Sequence, residues 1–483
     1  MHILLITPWL TIGGADRVHL DLMRQLTRRG CRFSVVATLP AKHEWRPLFE
    51  ELTPDVVTLH PTIAPAQQPA FARDLIRSRG IHAVLIGNSQ FGYALLPYLR
   101  SCCRDVAFLD LLHAVEPRWR DGGYPRLSLD HAAWLDLSIT VSRDLRDWMI
   151  ARGGDPARIE VCYANIDADV WNPALFARAA LRRAFGIPPR APLILVIGRL
   201  SSEKRPRLAV RILREVARQG IAFHALIIGD GPERPVLERM LRDPLLLNVR
   251  LTGALPEERV REVMAAGDIL LLPSAREGIA LVLYEAMAMG MVPVVADVGG
   301  QRELATPDCG MLIPSSKSEE AAYVAALAGL LRDPARRAAM GAQARRRIVD
   351  HFRIDQMGDR MEMLFRRAVE RAMGAEHPIP TEGDAARSAV EAIRLARHAR
   401  DVARLWQVDG YSEDASLSPV RRAVLSVVRS MRQWLRPWYR RLVARDGHPF
   451  SRGVVAVRDR VVAWVYAEAS GERMERRPPG RRV

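Results

Sequence analysis

Residues 193–205 read Leu193-Ile-Leu-Val-Ile-Gly198-Arg199-Leu-Ser-Ser-Glu-Lys204-Arg205. Five consecutive apolar residues, most of them β-branched or leucine, fit a strand buried on both faces. Arg199 and Lys204 would then leave the C-terminal edge of that strand, where open parallel sheets bind ligands. Two cations at such an edge suit a diphosphate, because arginine forks onto phosphate oxygens and lysine adds a point charge. The blander reading is a pair of surface cations, which are common in so basic a chain.

The same pattern repeats in both directions. Ala225–Ile228, Val249–Leu251, Ile269–Leu272 and Val292–Ala296 follow as strands. Upstream, Ile3–Ile6, Phe33–Thr38, Val56–Leu59, Ala83–Ile86, Val106–Leu109 and Leu137–Val141 read likewise, with amphipathic stretches such as Ala15–Thr27 and Pro69–Ser78 between. Alternation of this kind predicts parallel sheets wrapped by helices. Pro173, Gly186, Pro188 and Pro189 mark Asn172–Arg190 as a linker, so the chain divides into two α/β halves. Helices follow to about residue 375. The segment 376–384 reads as a second linker, and a helical stretch completes the chain. The expected domains are 1–175, 176–375 and an appendage over 376–483.

Composition narrows the function classes. At 483 residues, 49% hydrophobic and 26% charged, the chain is an ordinary globular one of two or three domains. No apolar run reaches the roughly 18 residues of a spanning helix. Met1-His-Ile-Leu-Leu-Ile-Thr-Pro lacks a positive start and reads as a first strand, not a signal peptide. Five cysteines, with no Cys-x-x-Cys, point to a reducing cytoplasm. The net charge of +16 suggests a negatively charged partner. Neither half carries a complete Gly-x-Gly-x-x-Gly or a Walker-type loop, which weakens the hydride-transfer and P-loop readings.

Three further features stand at strand ends in the second half. Ile228-Gly-Asp-Gly-Pro232 follows one strand. Pro273-Ser-x-x-Glu277-Gly278 and then Glu285-Ala-Met-Ala-Met-Gly290 follow another. Pro293-Val-Val-Ala296 leads to Gly299-Gly300. Ala280–Met289 reads as a helix whose free N–H groups, from about Ile279, would face an anion. Glu277 and Glu285 lie more than two helical turns apart, so they would touch different parts of one ligand and not share a proton or a metal.

Taken together, these features resemble the retaining nucleotide-sugar glycosyltransferases of glycosyltransferase family 4, which have the GT-B fold. The resemblance extends to Gly13-Gly14-Ala-Asp-Arg-Val, His113, Val141-Ser142 and Asn165-Ile166-Asp167, and spans about residues 1–370. It implies two Rossmann-like domains facing a cleft, the first on the acceptor side and the second holding the donor. Arg199 and Lys204 would hold the donor diphosphate and stabilise the departing nucleotide. Glu285 would accept hydrogen bonds from the ribose, and Glu277 would contact the transferred sugar. Gly13 and Gly14 would admit the phosphates close to the backbone. Gly278, Ile279, Ala280 and Leu281 would present the helix start, and His113 would lie at the reaction centre. No cofactor and no metal are implied. Asp167-Ala-Asp169 only superficially matches the Asp-x-Asp metal motif of the other glycosyltransferase fold. Glu277-Gly-Ile-Ala departs from the commoner Glu-Gly-Phe-Gly type, which implies a different sugar pocket. An epimerase of the same fold and a non-catalytic scaffold of a polysaccharide assembly are the alternatives.

The appendage lies outside the resemblance. Between Arg421 and Arg445 there are eight arginines and no acidic residue. Arg432, Trp434, Arg436, Trp438, Tyr439 and Arg440 combine basic and interfacial side chains, which suits peripheral attachment to an anionic membrane. The expected setting is the cytoplasmic face of a bacterial inner membrane, with a glycan or lipid-linked acceptor. Charge alone would allow a nucleic-acid partner, but no base-stacking motif supports one.

Overall fold

The computed structural model describes residues 1–374, 378 and 380–410. The arginine- and tryptophan-rich segment, with Arg432, Trp434, Arg436, Trp438, Tyr439 and Arg440, lies outside the described residues.

Two parallel sheets dominate the structure. The first contains β1 (His2–Thr7), β2 (Arg32–Ala37), β3 (Val56–Thr58), β4 (Ala83–Gly87), β5 (Ala107–Leu112), β6 (Leu137–Thr140) and β7 (Ile159–Val161). The second contains β8 (Leu193–Ile197), β9 (His224–Ile228), β10 (Val249–Gly253), β11 (Ile269–Leu272), β12 (Val292–Ala296) and β13 (Met311–Ile313). Their orders are β3-β2-β1-β4-β5-β6-β7 and β10-β9-β8-β11-β12-β13. Every residue of β1, β8 and β12 is buried, because helices cover both faces of each sheet. Strand order reverses beside β1 in one sheet and beside β8 in the other. The loops leaving those strands therefore open a crevice at the carboxyl edge of each sheet.

Residues 172–190 are more ordered than a linker reading expects. They contain a helix, Arg178–Ala184. Arg178 bonds Asp268 at 2.7 Å, and buried Arg182 donates to the carbonyl of Ala266 at 2.8 Å. The crossing is thus braced on the second domain by exposed Arg178 and buried Arg182, which the proline-rich composition conceals.

The far boundary also differs from the sequence reading. The helix Ile354–Gly374 packs on the helix Gly14–Arg28 and on β5, so the end of the expected second domain returns to the first. Its return is stitched by Ile166 N–H to the Phe352 carbonyl at 3.0 Å and Ile354 N–H to the Ile166 carbonyl at 2.9 Å. Asn165 adds a 2.7 Å bond to the Arg353 carbonyl. The Asn-Ile-Asp turn is therefore where the two crossings lie side by side. Asp167 caps its own turn through the amides of Asp169 and Val170, and Asp169 pairs with Arg353 at 3.0 Å. The start of the expected appendage packs as well. In the helix Glu382–Gly410, Ala392 and Ala396 are buried in the core of the first domain, and Ser388 donates to the Ala94 carbonyl at 2.6 Å.

Candidate active site

The loops after β1, β5 and β6 of the first domain face those after β11 and β12 of the second, and the loop after β8 packs on the one after β11. Contact is close at Gly278. A Cβ there would overlap the carbonyl oxygen of His113, so only glycine lets the two domains approach this far. Gly14 faces the side chain of Leu281, the first residue of the helix Leu281–Ala288. Gly14 and Leu281 thus meet across the gap, with Gly13 preceding the one and Gly278, Ile279 and Ala280 leading to the other. The free amides at the helix start supply positive partial charge beside it.

The second domain contributes paired charges. Lys204 Nζ lies 2.6 Å from Glu277 Oε1, and the Glu277 side chain is only 8% exposed. Arg199 is 69% exposed and bonds Glu203 at 2.9 Å. Arg205, in left-handed backbone conformation, ties the loop together. It donates to the Pro273 carbonyl at 2.6 Å and forks onto Glu319 at 2.7 and 3.0 Å. That tie carries the loop after β8 to the end of β11 and so brings Lys204 to Glu277. Ser201 and Ser274 have buried hydroxyls without a protein partner in the same two loops.

Glu285 lies on the helix Leu281–Ala288, toward the helix Gly14–Arg28. Burial pushes its carboxyl up to about 7; Arg17 opposes the shift, and Glu257 and Asp21 reinforce it. Arg17 itself bonds Asp21 at 2.7 Å and forms an ion pair with Glu257, linking the first domain to the second.

The first domain contributes neutral groups. His113 follows β5 with its Nε2 shielded and unpartnered, and burial pulls its pKa down to about 4. His19 is 1% exposed, and neither of its ring nitrogens has a partner. Its ring stands edge-on to His113, with centroids 5.6 Å apart. Burial, then His113, pulls the His19 pKa down to about 3. Buried Asp16 is pushed up to about 7 by the same desolvation, against a hydroxyl bond from Thr11 at 3.4 Å.

Sequence reasoning named Gly13, Gly14, His113, Arg199, Lys204, Glu277 and Glu285; the fold brings Gly14 to Leu281, His113 to Gly278 and Lys204 to Glu277, and leaves Arg199 exposed beside Glu203. The sequence reading passed over His19 and Glu257. A signal for His19 existed: Asp16 and His19 occupy the stripe that Met23 and Leu26 continue as core. Polar residues on the buried side of a helix mark a site or a satisfied core group. Among the described residues, no helix is long and apolar enough to cross a membrane, and no group of three His, Cys, Asp or Glu could hold a metal ion.

Residues 12–170 match the family described as Glycosyltransferase Family 4, and residues 177–347 match Glycosyl transferases group 1. The chain is 28% identical over 406 residues to the D-inositol 3-phosphate glycosyltransferase of Kineococcus radiotolerans, covering 74% of this chain and 91% of that protein. It is 31% identical over 195 residues to the alpha-D-kanosaminyltransferase of Streptomyces kanamyceticus, covering 39% of this chain and 49% of that one. Among solved structures, Anabaena HepE in complex with UDP superposes with a TM-score of 0.66 at 20% identity, over 76% of this chain and 100% of that one. The pneumococcal O-GlcNAc transferase GtfA, in complex with UDP and GlcNAc, gives 0.62 at 14% identity, over 78% and 99%.

Fold and matches together define a two-domain nucleotide-sugar glycosyltransferase. The chain belongs to the family 4 type of glycosyltransferase and has the GT-B architecture.

Proposed function

We propose that the chain transfers a sugar from a nucleotide diphosphate sugar to its acceptor with retention at the anomeric carbon, without a metal ion or cofactor. The observation that carries this reading is the Lys204–Glu277 pair at 2.6 Å, beside the point where Gly278 meets His113. In this mechanism Arg199 and Lys204, with the amides from Gly278 to Leu281, take up the charge that builds on the leaving diphosphate. Lys204 then exchanges part of its bond to Glu277 for phosphate oxygens, freeing a Glu277 oxygen for a sugar hydroxyl. Glu285 accepts from the ribose hydroxyls. Gly13 and Gly14 let the backbone close over the phosphates. Neutral His113 offers a hydrogen bond at the reaction centre and no competing charge. Closure of the cleft excludes water, which limits hydrolysis of the donor.

The acceptor in this reading is a lipid-linked or cell-envelope glycan at the cytoplasmic membrane face, approached through the basic aromatic segment that includes Arg432, Trp434, Arg436, Trp438, Tyr439 and Arg440. The net charge of +16 supports an anionic surface as partner. A phosphorylated polyol is the second reading, favoured by the name of the Kineococcus relative.

The test is a panel of nucleotide sugars, each with inositol 3-phosphate or a lipid-linked glycan, and product anomers read by NMR. Transfer with an inverted anomer would refute retention. Release of an epimerised sugar without acceptor would refute transfer. Flotation with anionic liposomes, comparing the full chain with one ending at Gly410, tests the membrane reading. A cut at residue 375 would also strip Ala392 and Ala396 from the core. Equal binding by both chains would sink the membrane reading.

A further inference from the structure

The helix Arg143–Ile150 begins the segment after β6, and its first three amides divide unequally. Leu145 N–H is capped from within the domain by Ser142 Oγ at 3.1 Å. The amides of Arg143 and Asp144 are capped by Glu303, a residue of the second domain. Glu303 Oε2 accepts from Arg143 N–H and Oε1 from Asp144 N–H, both at 2.9 Å. Tyr163 O–H adds a third bond to Oε2 at 2.7 Å. One carboxylate thus completes in trans the cap of a helix in the opposite domain, where its charge also meets the positive end of the helix dipole.

Glu303 is fixed on its own side of the cleft. Arg347 donates to its backbone carbonyl at 2.7 Å and to that of Leu304 at 2.8 Å. Its neighbour Gly300 donates to the Gly278 carbonyl at 2.7 Å, and a Cβ on Gly300 would crowd Ser142. The cap is therefore coupled through two short steps to the Glu277–Gly278 turn.

We infer that Glu303 is a positioning residue, whose carboxylate latches the first domain's helix and thereby holds the Glu277–Gly278 turn in place when the cleft is closed. The reaction it serves rests on the glycosyl-transfer reading, but the latch itself does not. Opening the cleft strips two amides and a tyrosine hydroxyl of their partner at once. Closure is favoured by these charge-assisted bonds.

The test uses the full chain as wild type, Glu303→Ala, Glu303→Gln and, as a comparator, Ser142→Ala. Amide hydrogen exchange reports the cap, and small-angle scattering with and without UDP reports closure. Steady-state kinetics report turnover. Glu303→Ala should lose protection at Arg143 and Asp144 but keep it at Leu145. It should compact less with UDP, and kcat should fall about 5- to 30-fold, the ratio that a bond set of this kind shifts, with little change in donor KM. Glu303→Gln, which keeps one acceptor oxygen without the charge, should fall between. Ser142→Ala should lower the melting temperature and leave UDP-induced compaction intact.

Wild-type compaction and kcat in Glu303→Ala would overturn the inference. So would an equal loss of compaction in Ser142→Ala, because helix stability and not the trans contact would then be what matters. Glu303-dependent compaction in a wild-type chain that turns over no nucleotide sugar would leave the latch standing and refute the glycosyl-transfer reading instead.

Discussion

The two walls of the cleft are built from opposite materials. The second domain presents charge: Lys204 paired with Glu277, Arg199 paired with Glu203, and Glu285, which meets Arg17 of the first domain. Apart from Arg17, the first presents neutral imidazoles and bare backbone: His19, His113, Gly13 and Gly14. The difference follows what each wall has to meet. A diphosphate brings full negative charge that grows as the bond to the sugar breaks, and fixed cations stabilise it best when they are already in place. A sugar and an acceptor hydroxyl bring only dipoles, and a dry neutral wall leaves the field of the opposite wall unscreened.

The comparison breaks most visibly if the cations are removed. Arg199→Ala or Lys204→Ala should lower donor turnover by about 10²–10³. Lys204→Ala also strands the nearly buried carboxylate of Glu277, and an unpaired buried charge is destabilising. The double variant Lys204→Ala/Glu277→Gln should recover melting temperature without recovering turnover. Near-wild-type turnover in both single variants would mean that the paired wall does not carry the chemistry.

Pressing the walls apart tests the other half of the comparison. Gly278→Ala should clash with the His113 carbonyl and hold the cleft open without touching a charged group. Misplacement of reacting groups by about 1 Å can cost up to about 10² in rate. Kinetics with circular dichroism as a control for folding would read the effect. Unchanged kcat would mean that the close approach is not the reactive geometry.

Much of this site could be read from sequence because the fold is repetitive. A strand such as Leu193–Ile197 announces itself by five apolar residues, and the residue after a parallel strand is already a candidate for the ligand edge. β7 and β13 escaped because Ile159-Glu-Val161 and Met311-Leu-Ile313, at three residues, show no period, whereas β3, equally short, was read within the stretch Val56–Leu59. The return of Ile354–Gly374 to the first domain escaped because its apolar face says only that it is covered, not by what. Glu303 and Arg17 escaped for the same reason. Their partners are 160 and 240 residues away, and local sequence carries no trace of such pairings. The helix within Asn172–Arg190 escaped because proline and glycine outweigh Arg182, whose burial depends on carbonyls from a distant helix end.

A smaller effect should appear with pH. Burial lifts Glu285 to about 7, so the carboxylate that would accept ribose hydrogen bonds is present above that pH and lost below it. Donor kcat/KM should therefore rise with pH up to about 7, falling about tenfold per unit on the acid side, since that parameter reports groups of the free enzyme. In Glu285→Gln the limb should vanish and the value should be low throughout. The histidines cannot supply the same limb. Their values of about 3 and about 4 keep them neutral across this range. A limb that survives in Glu285→Gln would assign it to another group, with Asp16, also near 7, the first to test.

The smallest expected effect is none at all, and it bears on the charged wall alone. If Arg199, Lys204 and the start of the helix Leu281–Ala288 together offset the charge on the departing diphosphate, a divalent cation has little left to stabilise. Exhaustive dialysis against EDTA should then leave kcat and donor KM within error of their starting values. Magnesium, which binds nucleotide diphosphates in solution, should if anything compete by masking the oxygens that Arg199 and Lys204 engage. Removing cations and removing metal also make opposite demands on one another. An enzyme that tolerates EDTA but not Lys204→Ala keeps its charge in the protein. One that tolerates Lys204→Ala but fails in EDTA borrows it from the ion. The second pattern, with recovery on adding magnesium or manganese, would overturn the metal-free mechanism and reduce the Lys204–Glu277 pair to a structural tie between the loops after β8 and β11.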